Sequence, residues 1–283
     1  MNNDLLRPLT SKEVDVYHRD GVVLLTDMFD EDWIKLLNKG LDINCKSPTE
    51  QSRIWHKNDS GHTMFYDSLA WRKIEEYKKF VFNSPAAKIC GQLMKSRTVN
   101  FFFDAVFVRS AGTKFETPWH QDEPYWSIEG YDACSLWMPL VKVKKKNCLS
   151  FVPGSHSYKS VFNQKNFGEL TGHPNDQVDF SKVANEEFPD INANPEKFGV
   201  VSWELQPGDC IAFNGRTMHG GSGKLDDDTN LRVFTTKWLG DDARIKFRNY
   251  GMDPDFSSLM IKKGLKSGDR PDTDLYPKVW SKN

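Results

Sequence analysis

The 283-residue chain has no long apolar run: no segment approaches the roughly 18 apolar residues that a membrane-spanning helix needs. Residues 1–7 lack the basic and then apolar pattern of a secretory signal. Cysteine is also sparse, because the five cysteines are scattered and none lies in a Cys-x-x-Cys spacing. This usage predicts reduced, mostly buried thiols in a cytoplasmic protein rather than a disulfide framework.

Neither sign of charge is in excess. The 38 basic and 39 acidic residues give a formal net charge of -1, so no electrostatic argument favours nucleic acid or an anionic membrane as a partner. Internal repeats and low-complexity tracts are also absent. The composition is that of an ordinary globular protein, and a single domain of this length is common among sandwich and barrel folds.

Residues 1–97 are predicted to be mostly helical. Helix starts are indicated by the capping box Thr10-Ser-Lys-Glu13, by Asp30 and by Ser84-Pro85. The second of these helices is expected to run to about residue 38, with Gly40 ending it. Residues 43–63 are polar without a clear period and are predicted to be irregular.

From residue 98 the pattern changes to short apolar strands separated by Gly and Pro turns, which favours a sandwich or barrel. The expected strands are 99–109, 133–143, 149–152, 200–205, 210–214 and 231–239. We therefore expect one domain over residues 1–283, with a core at 98–240. A long polar stretch at 157–198 is expected to form a lid, and residues 241–283 a C-terminal extension of irregular coil.

The most informative feature is the stretch Thr117-Pro-Trp-His-Gln-Asp122. On an extended strand, His120 and Asp122 would point to the same side, because strand side chains alternate between faces. A second histidine from elsewhere would complete a facial triad of two histidines and one carboxylate. That triad is the usual site of non-haem Fe(II) in oxygenases, since it leaves positions open for a co-substrate and O2.

The chain offers a third ligand downstream. His219 follows the apolar strand at 210–214, and Arg232 lies at the start of the strand at 231–239. In a double-stranded β-helix, distant strands meet across one barrel mouth. His219 could then join the first two ligands, with Arg232 deeper in the same cavity to grip the far carboxylate of a dicarboxylate.

These residues carry a resemblance: the chain resembles the phytanoyl-CoA dioxygenase family of Fe(II)/2-oxoglutarate-dependent oxygenases. The matching pieces, in the family's order, are Thr117-Pro-Trp-His-Gln-Asp122, Trp137, Asn147-Cys-Leu-Ser-Phe-Val-Pro-Gly-Ser-His156, Pro207-Gly-Asp209, His219-Gly220 and Arg232. The resemblance implies a mainly β fold. Its core would be a double-stranded β-helix (a cupin-like jelly roll) with flanking N-terminal α-helices.

The resemblance also implies roles. His120, Asp122 and His219 would be the catalytic ligands of Fe(II), and Arg232 would bind the C5 carboxylate of 2-oxoglutarate. Two further residues would contact this co-substrate, Trp137 and Thr117. The implied reaction consumes O2, converts 2-oxoglutarate to succinate and CO2, and oxidises a small-molecule substrate.

The retained carboxylate at Asp122 favours hydroxylation, because related halogenases have a small residue there to admit chloride. Tyr125 and Trp126 follow the motif directly and are expected to contact the substrate. His156 is interpreted as structural, whereas His56 and His62 could reach the mouth of the site.

Two alternatives stay open at this stage. One is a non-oxidative, cupin-like metal- or ligand-binding protein. The other is an enzyme of the same fold that performs desaturation, epimerisation or ring formation. The sequence does not identify the substrate, and we expect a monomer or homodimer without nucleic-acid or membrane partners.

Overall fold

The computed structural model describes residues 1–56, 63–114, 116–163, 184, 186–221, 223–226, 228 and 230–282, with the side chains of Trp55 and His56 excepted. The α-helices of this part are α1 (Ser11–Asp20), α2 (Glu31–Lys46), α3 (Glu75–Asn83), α4 (Ala86–Met94) and α5 (Ser257–Lys262). The strands are β1 (Val22–Leu25), β2 (Arg53–His56), β3 (Thr63–Ser68), β4 (Thr98–Arg109), β5 (Thr117–His120), β6 (Ile128–Glu129), β7 (Ala133–Pro139), β8 (Ser150–Phe151), β9 (Cys210–Asn214), β10 (His219–Gly221), β11 (Leu231–Leu239), β12 (Arg244–Ile245) and β13 (Lys278–Ser281).

Two antiparallel sheets form the core of the fold. In the described residues the larger sheet has the order β1-β9-β7-β11-β4-β3-β2, and β13 pairs with β4. The smaller sheet has the order β5-β10-β8. The prediction of a mainly β jelly roll with N-terminal helices is confirmed.

The helix α1 begins and ends where local signals predict. Thr10 accepts a hydrogen bond from the backbone of Glu13, and the Glu13 carboxylate accepts one from the backbone of Thr10, so the capping box is complete. Gly21 ends the helix in the left-handed conformation, with φ 71°. The predicted start of α4 near Ser84-Pro85 is also correct, because the helix begins at Ala86.

The helix α2 begins after Asp30 as predicted but does not end at Gly40. It continues to Lys46, so part of the stretch predicted to be irregular is helical. A Cβ at Gly40 would lie 2.7 Å from the ring of Tyr77 on α3. The glycine therefore permits close packing of two helices rather than ending one.

Two further expectations are corrected. Residues 200–205 make only isolated bridges, from Val201 to Phe151 and from Leu205 to Val143. The tail is not only coil, because it contains β12, α5 and β13, and Trp280 packs against Gly91 on α4. Of the expected lid at 157–198, residues 164–183 and 185 lie outside the described part, so the lid stays a prediction.

The two faces of the larger sheet have different neighbours. On β11, Phe234 and Trp238 belong to the apolar cluster that packs against the helices, together with Trp33 and Phe80. Thr235 and Lys237 on β11 point the other way, into the space between the two sheets. No helix of the described chain is long and apolar enough to cross a membrane.

Candidate metal centre

The three predicted ligands come together between the two sheets. His120 ends β5 and His219 begins β10, and the two are direct partners in the antiparallel pair. One Asp122 oxygen lies 3.5 Å from His120 Nε2 and 3.6 Å from His219 Nε2. One ligand atom from each residue can be chosen so that all lie within 4.8 Å of one another. This spacing can hold a single metal ion.

The route by which Asp122 reaches the site differs from the prediction. The strand ends at His120, and Asp122 has helical backbone angles (φ -73°, ψ -43°) before a short 3-10 helix, Glu123–Tyr125. A turn, rather than strand alternation, therefore brings the carboxylate beside the imidazole. Gln121 is buried between the two ligands and donates a hydrogen bond to the Arg216 carbonyl.

Both histidines are oriented by a backbone carbonyl two residues earlier. His120 Nδ1 lies 2.8 Å from the Pro118 oxygen, and His219 Nδ1 lies 2.9 Å from the Thr217 oxygen. A carbonyl can only accept, so in each ring Nδ1 carries the proton. Each Nε2 is then left with a lone pair facing Asp122, which is the arrangement that a metal-binding imidazole needs.

The pKa values of Asp122 and His219 also suit metal binding. Burial alone would raise the pKa of Asp122, but His219 and His120 lower it to about 2. Burial, together with repulsion from His120, lowers the pKa of His219 to about 4. The site therefore presents a carboxylate and a neutral imidazole, the protonation states required for metal coordination. Ser135 Oγ also donates to the second Asp122 oxygen at 3.3 Å.

A cavity of about 160 Å³ opens beside the triad, and its walls are largely aromatic. It is lined by four residues that the sequence assigned to co-substrate or substrate: Thr117, Trp137, Tyr125 and Trp126. The structure thus places these four beside the triad. Their individual roles stay predictions.

Arg232 is the predicted site residue that does not reach the cavity. Its guanidinium donates to the side-chain and backbone oxygens of Asn38 at 2.8 and 3.1 Å, and it pairs with Asp42 at 2.7 Å, both on α2. The reason is strand alternation: Thr235 and Lys237 face the cavity, so Arg232, an odd number of residues away, faces the helices. The expected placement of Arg232 in the cavity is therefore corrected.

A different arginine occupies one end of the cavity. Arg109 ends β4, is buried, and donates a hydrogen bond to the Gly223 carbonyl. It also borders a small adjoining cavity of about 20 Å³ with Asn147. Both amide atoms of Asn147 are buried without a hydrogen-bond partner in the described part of the protein. The sequence signal for Arg109 was a basic residue at the end of a strand rich in Phe and Val.

A lysine that sequence reasoning missed lies at the other end. Lys237 is on β11, lines the cavity and is 8% exposed. Its ammonium group donates to Thr235 Oγ1 and lies 4.8 Å from the centre of the Phe103 ring. Burial lowers its pKa to about 8. In the sequence, the only indication was that Lys237 lies four residues after the apolar Val233, on the same face of the strand.

The remaining histidines do not join the cluster where they are described. His156 Nε2 donates to the His18 carbonyl at 3.1 Å, in agreement with a structural role. The side chain of His56, and His62 and His173 entirely, lie outside the described part of the chain. The roles expected of His56 and His62 are therefore untested.

Comparison with known proteins begins with solved structures of similar fold. A non-heme alpha ketoglutarate-dependent carbocyclase, SnoK from nogalamycin biosynthesis, superposes with a TM-score of 0.73 at 18% identity, covering 99% of this chain and 100% of that one. The epimerase SnoN, in complex with Fe3+, alpha ketoglutarate and nogalamycin RO, gives 0.67 at 18% identity and covers 95% and 98%. EctD from S. alaskensis, with 2-oxoglutarate and 5-hydroxyectoine, gives 0.64 at 19% and covers 89% and 83%.

At identities of 18–19%, these superpositions establish a shared fold and nothing more. No curated protein sequence matches the chain. The sequence profile of phytanoyl-CoA dioxygenase (PhyH), however, matches residues 17–228, which is most of the chain and includes all three candidate ligands. The resemblance drawn from the motifs is therefore confirmed: this chain belongs to the phytanoyl-CoA dioxygenase (PhyH) family.

Proposed function

We propose that this protein is an Fe(II)- and 2-oxoglutarate-dependent dioxygenase that hydroxylates a small molecule, with release of succinate and CO2. The observation that carries the proposal is the convergence of His120, Asp122 and His219 in the wall of one cavity. Two neutral imidazoles and one carboxylate are the donor set that non-haem Fe(II) prefers in oxygenases. The protein belongs to the phytanoyl-CoA dioxygenase family, and proteins that share its fold have been solved with iron and 2-oxoglutarate.

The protein's own contribution at the metal is positioning. Bound Fe(II) would supply the activation of O2 and the oxidative decarboxylation of 2-oxoglutarate. His120 and His219 are held by their Nδ1 hydrogen bonds, and Asp122 by Ser135. Three ligands on one side leave the other coordination positions open to co-substrate and O2.

The co-substrate is assigned to the end of the cavity that carries Arg109. A guanidinium can bind a carboxylate through two parallel hydrogen bonds, which suits the C5 carboxylate of 2-oxoglutarate. Beside it, Asn147 offers an amide that has no hydrogen-bond partner among the described residues, and Thr117 and Trp137 border the same small cavity. Arg109 thus takes the role that the sequence had assigned to Arg232.

The two alternatives are a non-oxidative binding protein and an enzyme of the same fold with another oxidative outcome. A non-oxidative ligand-binding protein would need the metal site but no dicarboxylate grip, so Arg109 and Asn147 favour the oxygenase. SnoK is a carbocyclase and SnoN an epimerase, and both share the fold. The carboxylate of Asp122 argues against halogenation but does not separate hydroxylation from these outcomes.

The test is reconstitution of the purified protein with Fe(II) under anaerobic conditions, followed by 2-oxoglutarate, O2 and a panel of small metabolites. We expect succinate release that depends on O2 and on one class of substrate. Mass spectrometry should then show a product that has gained one oxygen atom. Loss of two hydrogens would indicate desaturation or ring closure, and an unchanged mass epimerisation. Absence of succinate with every candidate would favour the non-oxidative alternative.

A further inference from the structure

The cavity has a cation at each end, and the proposed reaction uses only one of them. Leu231 on β11 pairs with Arg109 on β4, and Lys237 on β11 pairs with Phe103 on β4. Arg109 and Phe103 are six residues apart, which corresponds to about 20 Å of strand. Lys237 therefore lies well away from the end assigned to 2-oxoglutarate, and it is left for another ligand.

Lys237 has no carboxylate within ion-pair distance among the described residues. Its ammonium group hydrogen-bonds Thr235 and lies over Phe103, which leaves two of its three donors unused. The nearby Asp122 is a candidate metal ligand. Asp104, also nearby, accepts a hydrogen bond from the backbone of Trp71 at 3.3 Å. A buried cation without a paired anion is costly, so a site that retains one implies that an anion binds there.

The surrounding wall indicates what the rest of that ligand is like. Next to Lys237 it is formed by Phe103 and Trp126, whose ring centroids are 6.1 Å apart. Phe107 and its strand partner Tyr66 continue this apolar wall toward Arg109. A third cation that lines the cavity, Arg53, is bound to Asp253 through two contacts of 2.7 and 2.8 Å. Their charges balance, so the net charge offered by this end is that of the single Lys237 ammonium group.

We propose that Lys237 binds the carboxylate of the primary substrate, a small organic monoacid with an apolar or aromatic body. This inference rests on the proposed function. One ammonium group with two spare donors matches a monoanion. A phosphate would call for more donors and a second cation. The acid's body packs against Phe103 and Trp126, and the part to be oxidised lies toward the triad.

The experiment measures binding to the metal-free protein by isothermal titration calorimetry, so it does not depend on turnover. The probes are phenylacetate, 3-phenylpropionate and hexanoate, each compared with its neutral primary amide. We expect the wild type to bind at least one acid about 10- to 100-fold more tightly than the matching amide, the range for losing a charge-assisted hydrogen bond. Lys237→Met should abolish that preference and Lys237→Arg should retain much of it. The exposed-site control Lys142→Met should behave as wild type.

Two results would overturn the proposal: no acid is preferred over its amide by the wild type, or Lys237→Met binds the acids as tightly as the wild type does. Circular dichroism and thermal melting check that the variants fold. If Lys237→Met does not fold, Lys237→Gln replaces it as the uncharged variant, because Arg109 also offers the wild type a cation that binds carboxylates. Failure of the proposed function is distinct, because it would appear as acid binding without succinate release once Fe(II) and 2-oxoglutarate are supplied.

Discussion

His219 lies directly opposite His120 in the antiparallel pair of β5 and β10, and the centroids of their imidazole rings are 4.1 Å apart. Backbone pairing between the two strands thus sets the distance between two candidate ligands that are far apart in sequence. Asp122 lies in the turn that follows β5, so its position depends on the same strand. The metal centre is therefore a property of this small sheet, and changes to the sheet should alter metal binding.

Removing any one ligand should abolish metal binding and activity. Substituting a residue that hydrogen-bonds to a metal ligand typically lowers metal affinity roughly 10- to 100-fold. Loss of a ligand itself should therefore lower it by more than about 100-fold. We expect this for His120→Ala, Asp122→Ala and His219→Ala, measured as anaerobic Fe(II) binding and as succinate release. His18→Ala, at an exposed position of α1, is the control. Retained hydroxylation in Asp122→Ala would contradict the assignment.

Adding one methyl group between β5 and β10 should weaken metal binding without removing a ligand. A Cβ at Gly220 would lie 3.0 Å from the Thr117 carbonyl oxygen and 3.1 Å from Trp119 Cα, so β5 would have to shift. We expect Gly220→Ala to reduce Fe(II) affinity by about 10-fold, in the range for disturbed ligand orientation.

The matched control for that variant is the next residue. A Cβ at Gly221 would meet its nearest atom, in the Leu149 side chain, at 3.6 Å, which is ordinary contact. Gly221→Ala should therefore bind Fe(II) nearly as the wild type does. Equal effects of the two substitutions would show that the spacing of β5 and β10 is not what positions the histidines.

The two candidate arginines should separate in their effect on the co-substrate. Arg109→Gln removes the charge at the end of the cavity and should raise the KM for 2-oxoglutarate by about 10- to 100-fold. Arg232→Gln should leave this KM unchanged, because Arg232 contacts Asn38 and Asp42 on α2. Arg109→Lys retains the charge and tests whether the fork of the guanidinium matters. A raised KM in Arg232→Gln alone would restore the role first expected of Arg232.

The free energy of unfolding should depend on pH through the titration of Asp104. Burial raises the pKa of this carboxyl from 3.8 to about 7, and one of its oxygens has no hydrogen-bond partner in the described residues. The folded state thus holds the proton more tightly than the unfolded state does. The stabilisation from the protonated carboxyl is complete below about pH 4 and is lost as pH rises to about 7.

Asp104→Asn removes this titration. Relative to the variant, the wild type should lose up to ~1.4 kcal/mol of unfolding free energy for each pH unit within that window, and no more above it. Urea unfolding at pH 5.5, 6.5 and 8 measures the difference. If the unfolding free energy of the wild type minus that of the variant does not fall from pH 5.5 to pH 6.5, Asp104 titrates elsewhere.

Local signals predicted those elements whose ends are encoded nearby. Thr10 and Glu13 cap α1 as expected, and the strand at 210–214 has the predicted bounds. The length of α2 was not predictable in the same way. Glycine commonly ends a helix, so Gly40 suggested an end there. In the structure Gly40 lies inside the helix, where the ring of Tyr77 packs too closely for a larger residue.

The sequence alone determined the chemistry: it contains His120, Asp122 and His219 in the order and context that identify the family and its donor set. Tertiary structure decided which cations serve the cavity. Strand side chains change face at every residue, so a shift of one position exchanges inside for outside. That parity turns Arg232 toward α2 and Lys237 toward the cavity, and it brings Arg109 from a strand more than a hundred residues earlier. Such parity is set by the pairing of strands distant in sequence, which no local pattern records.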